Sequence, residues 1–167
     1  EALAYTRWLD LDLRQSDQTP AELSAFLESG GRVTLPSEAE WEKAARGIEG
    51  QVFPWRSGPP PESINFNGSE IRAVNAMDCS ECAWGLSDMA GNVWEMTASP
   101  MQPYPYSEAD DLEALDGQAL WVMRGGSFAD GLGNIRAAVR GGVDPGVRND
   151  AIGFRLVIST RPSVSNP

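Results

Sequence analysis

The tract from Trp121 to Ile158, WVMRGGSFADGLGNIRAAVRGGVDPGVRNDAIGFRLVI, constrains this chain most. Its fixed frame is R-G-G-S-F (124–128), I-R-A-A (135–138), an arginine-bearing loop, and G-F-R-L-V (153–157). Between these anchors stand small residues that look interchangeable. The segments Leu120–Arg124, Ile135–Arg140 and Phe154–Ile158 read as short, antiparallel strands. The tract holds no cysteine, and the whole chain has no histidine. A strand framework carrying a plain, non-nucleophilic surface points to binding rather than chemistry.

At 167 residues the chain fits one domain with a real core, taken as 1–160, with 161–167 as a mobile tail. A formal net charge of -11 argues against a nucleic-acid or anionic-membrane partner, which needs a clustered basic face. The densest basic grouping is Arg136, Arg140 and Arg148. No apolar run approaches the roughly 20 residues of a membrane span, so no membrane insertion is expected. The first residue is Glu1, which reads as a fragment or a processed product, so the compartment stays open.

Residues 2–12 have the spacing of an amphipathic helix, with Leu3, Trp8 and Leu11 as candidate core positions. Thr19-Pro20-Ala21-Glu22 has the form of a capping box with proline at the first helical position. The helix it would open stops at Gly30-Gly31. Arg32–Leu35 reads as a strand. Ser37-Glu38-Ala39-Glu40 is a second capping box, opening a helix with Trp41, Ala44 and Ala45 on one face and Gly47 at its end. Periodicity is weak from Gln51 to Trp84, a stretch expected to be ordered by tryptophan packing and by metal. Residues 100–118 are proline-rich, then acidic (Glu108, Asp110, Asp111, Glu113, Asp116), as in a solvated insertion. Cys79-Ser80-Glu81-Cys82 lies in a loop without a second pair, leaving a local disulfide, two free thiols, or a shared zinc or redox centre.

Several blocks, in order, resemble the formylglycine-generating enzyme (sulfatase-modifying factor) family. They are Ala4-Tyr5 with Trp8-Leu9, R-V-T-L-P-S-E-A-E-W-E-K-A-A-R-G (32–47), F-P-W (53–55), W-G-L-S-D-M-A-G-N-V-W-E-M (84–96), R-G-G-S-F and G-F-R-L-V. The resemblance implies an α+β fold of C-type lectin type: two helices around a small twisted antiparallel sheet, with much irregular structure. It also implies that the family's N-terminal portion is missing, lying on another chain or trimmed away.

Formylglycine-generating members use copper held by a cysteine pair within about a dozen residues after R-G-G-S. Here that stretch, Phe128 to Arg136, contains no thiolate and so no soft-ligand site for copper(I). The sulfoxide synthases of ergothioneine synthesis use iron held by histidines, which this chain lacks. Serine triads also need a base, normally histidine. The expectation is a non-enzyme. The resemblance further implies calcium, held by the side chain of Asp88, the carbonyls of Gly91 and Val93, and the side chain of Glu95. Calcium takes six to eight oxygens of that kind. The alternative is that Asp88 and Glu95 hydrogen-bond the loop, with Asn92 in a left-handed turn.

The closing tract also resembles the variable region of proteins diversified by retroelements, which rewrite adenines in asparagine codons. The aligned positions carry Ala129, Asp130, Gly131, Gly133, Asn134, Val139, Gly141, Gly142, Val143, Asp144, Val147, Asn149, Asp150 and Ala151. Each is asparagine or is reached from its codon by changing adenines alone. The alternative is an ordinary glycine-rich loop. With Phe128, these positions would form an outward face for a protein or other macromolecular ligand. Arg124, Arg136, Arg140, Arg148 and Arg155 would hold the loops through carbonyls and carboxylates. The competing function is a degenerate or split family member, or a sensor fused to a signalling or protease module.

Overall fold

A computed structural model describes residues 1–56, 58–74, 79, 82–105 and 119–160. The acidic insertion expected within 106–118 and the tail at 161–167 lie outside the described residues. Three helices lead the chain: α1 (Ala2–Gln15), α2 (Ala21–Glu28) and α3 (Glu38–Arg46). Strand β1 (Arg32–Thr34) falls between the last two, and β2 (Trp94–Pro100), β3 (Trp121–Arg124), β4 (Arg140–Val143), β5 (Ile152–Phe154) and β6 (Val157–Ser159) follow.

The α+β class holds, and the described residues form three α-helices rather than two, with two small sheets. One sheet is β1 with β6, antiparallel. The other runs β4-β3-β2-β5. Its β3 pairs are antiparallel, but β5 lies parallel to β2, with Glu95 opposite Gly153. A uniformly antiparallel sheet is therefore not what forms. The chain passes from β3 through β4 to the far edge of β2, and that crossing sets β5's direction.

Helix α3 obeys local rules. Ser37 Oγ accepts from Glu40 N at 3.1 Å, and Glu40 Oε2 accepts from Ser37 N at 2.8 Å, the reciprocal pair of a capping box. Gly47, at φ 63°, ends it. Trp41 and Ala45 are buried from one face. At Thr19 the expected box does not form: the hydroxyl donates instead to Leu13 O at 2.6 Å, and α2 starts without a side-chain cap. The pull back to α1 closes the α1–α2 turn.

Three other expectations change. In α1 Trp8 and Leu11 are exposed and Leu3 only half-buried, while Thr6 is buried. The helix lies over the domain's edge, and its inward stripe is narrower than its apolar content. Ile135–Arg140 is not a strand but a series of turns in which Ile135 and Ala137 are buried. The strand begins only at Arg140. Phe154–Ile158 is split, because Phe154 ends β5 in one sheet and Val157 begins β6 in the other. The central strand β2 has no strand signature in the sequence: it starts inside the G-N-V-W-E block and ends at the first residue of the proline-rich segment.

Three apolar clusters make the core. Trp55, Ile64, Cys79, Cys82, Ala90 and Ile135 order the irregular middle. Cys79 and Cys82 form a disulfide. Leu35, Ala98, Trp121 and Val143 lie beneath the large sheet, and Trp41, Ala45, Met89 and Ala137 join α3 to the closing tract.

Candidate functional site

Arginines hold the closing tract: Arg124 is buried, Arg140 and Arg155 are half-buried, and Arg136 and Arg148 are exposed. Arg124 is fully buried. Its Nη1 donates to Ala138 O and Val139 O, both at 3.1 Å. It also pairs with Glu42, and lies 3.5 Å from Glu38 Oε1. Arg140 donates to Glu38 Oε2 at 2.5 Å and to Gln102 O at 2.8 Å. Arg136 bonds Gly133 O, Arg148 bonds Gly146 O and Glu1, and Arg155 bonds Ser87 O and Glu95. All five arginines thus bond carbonyls, and four of them carboxylates as well. Arginines of the tract itself satisfy its carbonyls at 133, 138, 139 and 146, which helps a tract so poor in regular structure keep one conformation.

On this frame the proposed variable positions fall into three groups. Ala129, Gly131, Gly133, Asn134, Gly142, Asp144, Val147, Asn149 and Asp150 are exposed. Val139, Gly141 and Ala151 are half-buried. Phe128 and Val143 are buried, so their side chains do not belong to an outward face. Phe128 also lies in a backbone ladder, its N–H bonding Asn92 O and its carbonyl accepting from Gly68 N. Val143 ends β4 opposite Trp121. The anchor Phe154 departs in the other direction. It is 40% exposed and stands edge-on to Tyr5, so it is no core residue.

Asp130 is half-buried and fully engaged. Its carboxylate accepts from Ser127 N (2.9 Å), Ser127 Oγ (2.7 Å), Trp94 Nε1 (2.9 Å) and Asn134 Nδ2 (2.9 Å). Burial pushes its pKa up, but these hydrogen bonds outweigh it and hold the group below the ordinary 3.8. The bond from Trp94, 36 residues away, has no sequence signature beyond the tryptophan of the G-N-V-W-E block.

In the loop from Asp88 to Glu95, Asn92 takes the left-handed turn expected of it, at φ 63°, and Asp88 at 58° and Gly91 at 75° join it there. Gly91 cannot be replaced, since a Cβ there would lie 2.2 Å from Asn65 O. Asn92 is a hub that the sequence reading reduced to a turn residue. It is buried, its Oδ1 accepts from Asn65 Nδ2 and Arg72 N, and its Nδ2 donates to Arg72 O. Glu95 is buried and accepts from Trp41 Nε1 at 2.6 Å and from Arg155 at 2.5 and 2.6 Å. Asp88 is different: both its oxygens are buried without a hydrogen-bond partner. Burial is the main reason its carboxyl is pushed up to about 6; Arg155 opposes the shift and Glu95 adds to it. A buried carboxylate without donors is the environment a hard cation would relieve. Glu95 retains lone pairs beyond those it gives to Arg155 and Trp41. Among the described residues no three acidic, cysteine or histidine side chains converge, so a cation here would rely on backbone carbonyls such as those of Gly91 and Val93. The donor chemistry fits calcium on the Asp88 side.

Residues 1–160 match a family model described as the sulfatase-modifying factor enzyme 1-like domain. An inactive C-alpha-formylglycine-generating enzyme 2 from Mus musculus is 38% identical over 146 residues, covering 75% of this chain and 42% of the relative. A hercynine oxygenase from Mycolicibacterium smegmatis is 34% identical over 138 residues, covering 73% of this chain and 32% of that protein. The chain therefore spans less than half the length of these relatives. Among solved structures, Treponema denticola variable protein 1 superposes with a TM-score of 0.57 at 29% identity, covering 75% of this chain and 47% of that one. Capped α3, the Asp88–Glu95 loop, and the arginine-held closing tract are thus the parts of a C-type lectin-like fold, and the chain belongs to the sulfatase-modifying factor enzyme 1-like domain family.

Proposed function

We propose that this chain is a non-catalytic member of its family that presents a diversified surface to a protein or other macromolecular ligand. One observation carries the reading. Across residues 129–150 most positions that adenine rewriting would reach are exposed, while the interleaved Ile135 and Ala137 are fully buried. A surface can then change without touching the core. The likeness to an inactive formylglycine-generating relative and to a variable protein supports it. The absence of cysteine from 128–136 and of histidine from the chain removes the side chains that the family's copper and iron chemistry uses. The hercynine oxygenase likeness supports the second reading, a split or degenerate enzyme whose remaining part supplies the active centre.

Calcium belongs to the proposal as a structural ion held by Asp88, the carbonyls of Gly91 and Val93, and Glu95. It would neutralise Asp88 and fix the loop between β2 and the closing tract.

The test is a library randomised at 129, 131, 133, 142, 147, 149 and 150, scored for folding and for binding to a panel of proteins. Folded variants with changing ligand preference support the reading. Folded variants with no binding at all, or copper- or iron-dependent turnover by the parent chain, would sink it.

A further inference from the structure

The carboxylate of Asp130 sits in a cradle of hydrogen-bond donors. Its Oδ2 accepts from Ser127 N at 2.9 Å, Ser127 Oγ at 2.7 Å and Trp94 Nε1 at 2.9 Å. Its Oδ1 accepts from Asn134 Nδ2 at 2.9 Å. Ser127 belongs to R-G-G-S-F and Trp94 to G-N-V-W-E, so all but one of these donors stand on fixed motifs. Position 130 itself is one of those proposed to be diversified. Ala129 and Gly131 beside it are short residues within reach of the same rewriting, and neither has a side-chain oxygen to offer the cradle.

Main-chain bonds hold this loop independently of that carboxylate. Asn67 N donates to Asp130 O at 2.9 Å, Gly68 N to Phe128 O at 2.7 Å, Phe128 N to Asn92 O at 2.8 Å and Asn134 N to Gly131 O at 2.9 Å. Ser127 is buried and Trp94 half-buried, so their donors keep their direction when the side chain at 130 is cut back. A short residue there leaves those donors without an acceptor, which is costly where they are buried. The chemistry of a replacement is narrow. One oxygen takes three bonds and a second takes one, a pattern that the two oxygens of a carboxylate can meet. Bonds to an anion are also about twice as strong as neutral ones. Burial pushes the Asp130 carboxyl up, and the cradle's bonds still hold it below its ordinary value. The cradle opens beside residues 129, 131, 133 and 134, all exposed.

We infer that Ser127, Trp94 and Asn134 form a carboxylate-binding subsite of the binding face, filled in this sequence by Asp130 and opened to a carboxylate of a partner protein when residue 130 is short. The inference rests on the diversified-surface reading, since rewriting at 130 is what empties the cradle. Position 130 then sets specificity without touching the partner. With Asp130 the face offers its outward side chains alone. With glycine or alanine it also offers a fixed set of donors.

Acetate is the probe, and Asp130→Gly, which removes a group the size of acetate, is the variant. Unfolding is followed in acetate and in chloride at equal ionic strength, together with the indole N–H resonance of Trp94. At a dissociation constant on the order of 10 mM, acetate at about 100 mM lowers the unfolding constant of the variant about tenfold. The indole resonance should return toward its position in the parent chain. The parent, whose own carboxylate fills the cradle, should respond to neither salt. Adding Trp94→Phe to Asp130→Gly should weaken the acetate effect at least about tenfold, as for loss of a bond to a charged group. Should Asp130→Gly not fold, Asp130→Ala with formate reads the same cradle. Acetate no better than chloride, an equal response of the parent, an equal response to inorganic phosphate, or indifference to Trp94→Phe would overturn the inference. So would failure of both variants to fold even with carboxylate present. Peptides then tell a side chain from a chain end: acetyl-Gly-Glu-Gly-amide, its glutamine counterpart, and acetyl-Gly-Gly with a free acid. Movement of the indole resonance by either acid, with the glutamine peptide silent, supports the subsite, and silence of both acids overturns it. A library without binders would remove the diversified surface, while acetate still reads the cradle directly. Library binders alongside a variant indifferent to acetate would remove the subsite and leave that surface standing.

Discussion

Helix α3 and the closing tract both keep a fixed conformation, but by opposite means. In α3 the cap, the stop and one ion pair are local. Ser37 and Glu40 cap each other three residues apart, Arg46 pairs with Glu42 four residues apart, and Gly47 ends the helix. In the tract from Gly125 to Ala151 most holding bonds come from afar: Arg124 and Arg140 reach Glu42 and Glu38 of α3, and Trp94 reaches Asp130. The helix would be recognisable in isolation. The tract depends on the rest of the domain for its shape, although its outward Asn134, Asp144 and Asn149 also form local bonds, with Asp130, Gly146 N and Ala151 N.

The strongest way to break this contrast is Arg124→Ala. It leaves Glu38 and Glu42 without their fully buried partner and frees the carbonyls of Ala138 and Val139. Losing one member of a buried ion pair costs about 3–5 kcal/mol. Chemical denaturation should show that loss, with hydrogen exchange rising across 138–143. A smaller loss would mean that the tract holds itself.

The Asp88–Glu95 loop joins the two regions, because Glu95 accepts from Trp41 of α3 and from Arg155 of the tract. With calcium at about a hundred times its dissociation constant, chelation should lower stability by about 2.7 kcal/mol. Asp88→Ala should abolish that response. A melting temperature indifferent to chelator in the parent chain would assign the loop to protein hydrogen bonds alone.

Asp130→Ala tests the tract from within and should cost about 2 kcal/mol, since its carboxylate holds Ser127, Asn134 and Trp94. The sign with pH follows from its depressed pKa. The stabilisation is present above the ordinary carboxylate value of 3.8 and is lost as pH falls through the lower folded value. The gap between mutant and parent should therefore be full at neutral pH and narrow in acid. A gap that stays constant on acidification would place the stabilisation elsewhere. This residue also sharpens the variable-surface argument, because substitutions at 130 should be tolerated less well than at 129 or 131.

The smallest expected effect is Ser37→Ala, about 1 kcal/mol for a lost N-cap. Unlike Arg124→Ala, it should leave exchange in 138–143 unchanged. A matching rise there would show that the two regions are not separable.

Local pattern reached some elements and not others. Helix α3, strand β3 and the left-handed Asn92 were legible because their causes lie within a few residues. Thr19-Pro20-Ala21-Glu22 has the letters of a capping box, but the hydroxyl of Thr19 found Leu13 O instead. Trp8 and Leu11 have the spacing of a buried stripe, yet a helix at the edge of the domain has nothing to bury them against. The place of Phe154 in G-F-R-L-V is that of an anchor, but the change of sheet after β5 leaves its ring on the surface. Residues 129, 131–134 and 144–150 are exposed, whereas Phe128 and Val143 are buried and Asp130 is half-buried, places that codon identity does not register.

By itself the sequence determined the family, the α+β class, the capped helix, the glycine turns and the absence of histidine and of thiols in the closing tract. These are properties of residue identity and short spacing, set by propensity, capping and backbone sterics. Tertiary structure alone decided that β5 runs parallel to β2, that Glu38 meets Arg140 across 102 residues, and that Asp88 is buried without a donor. Each depends on which distant segments share a neighbourhood after folding. Burial then sets the energetic weight of a charge or an aromatic ring, and burial is a property of the whole domain.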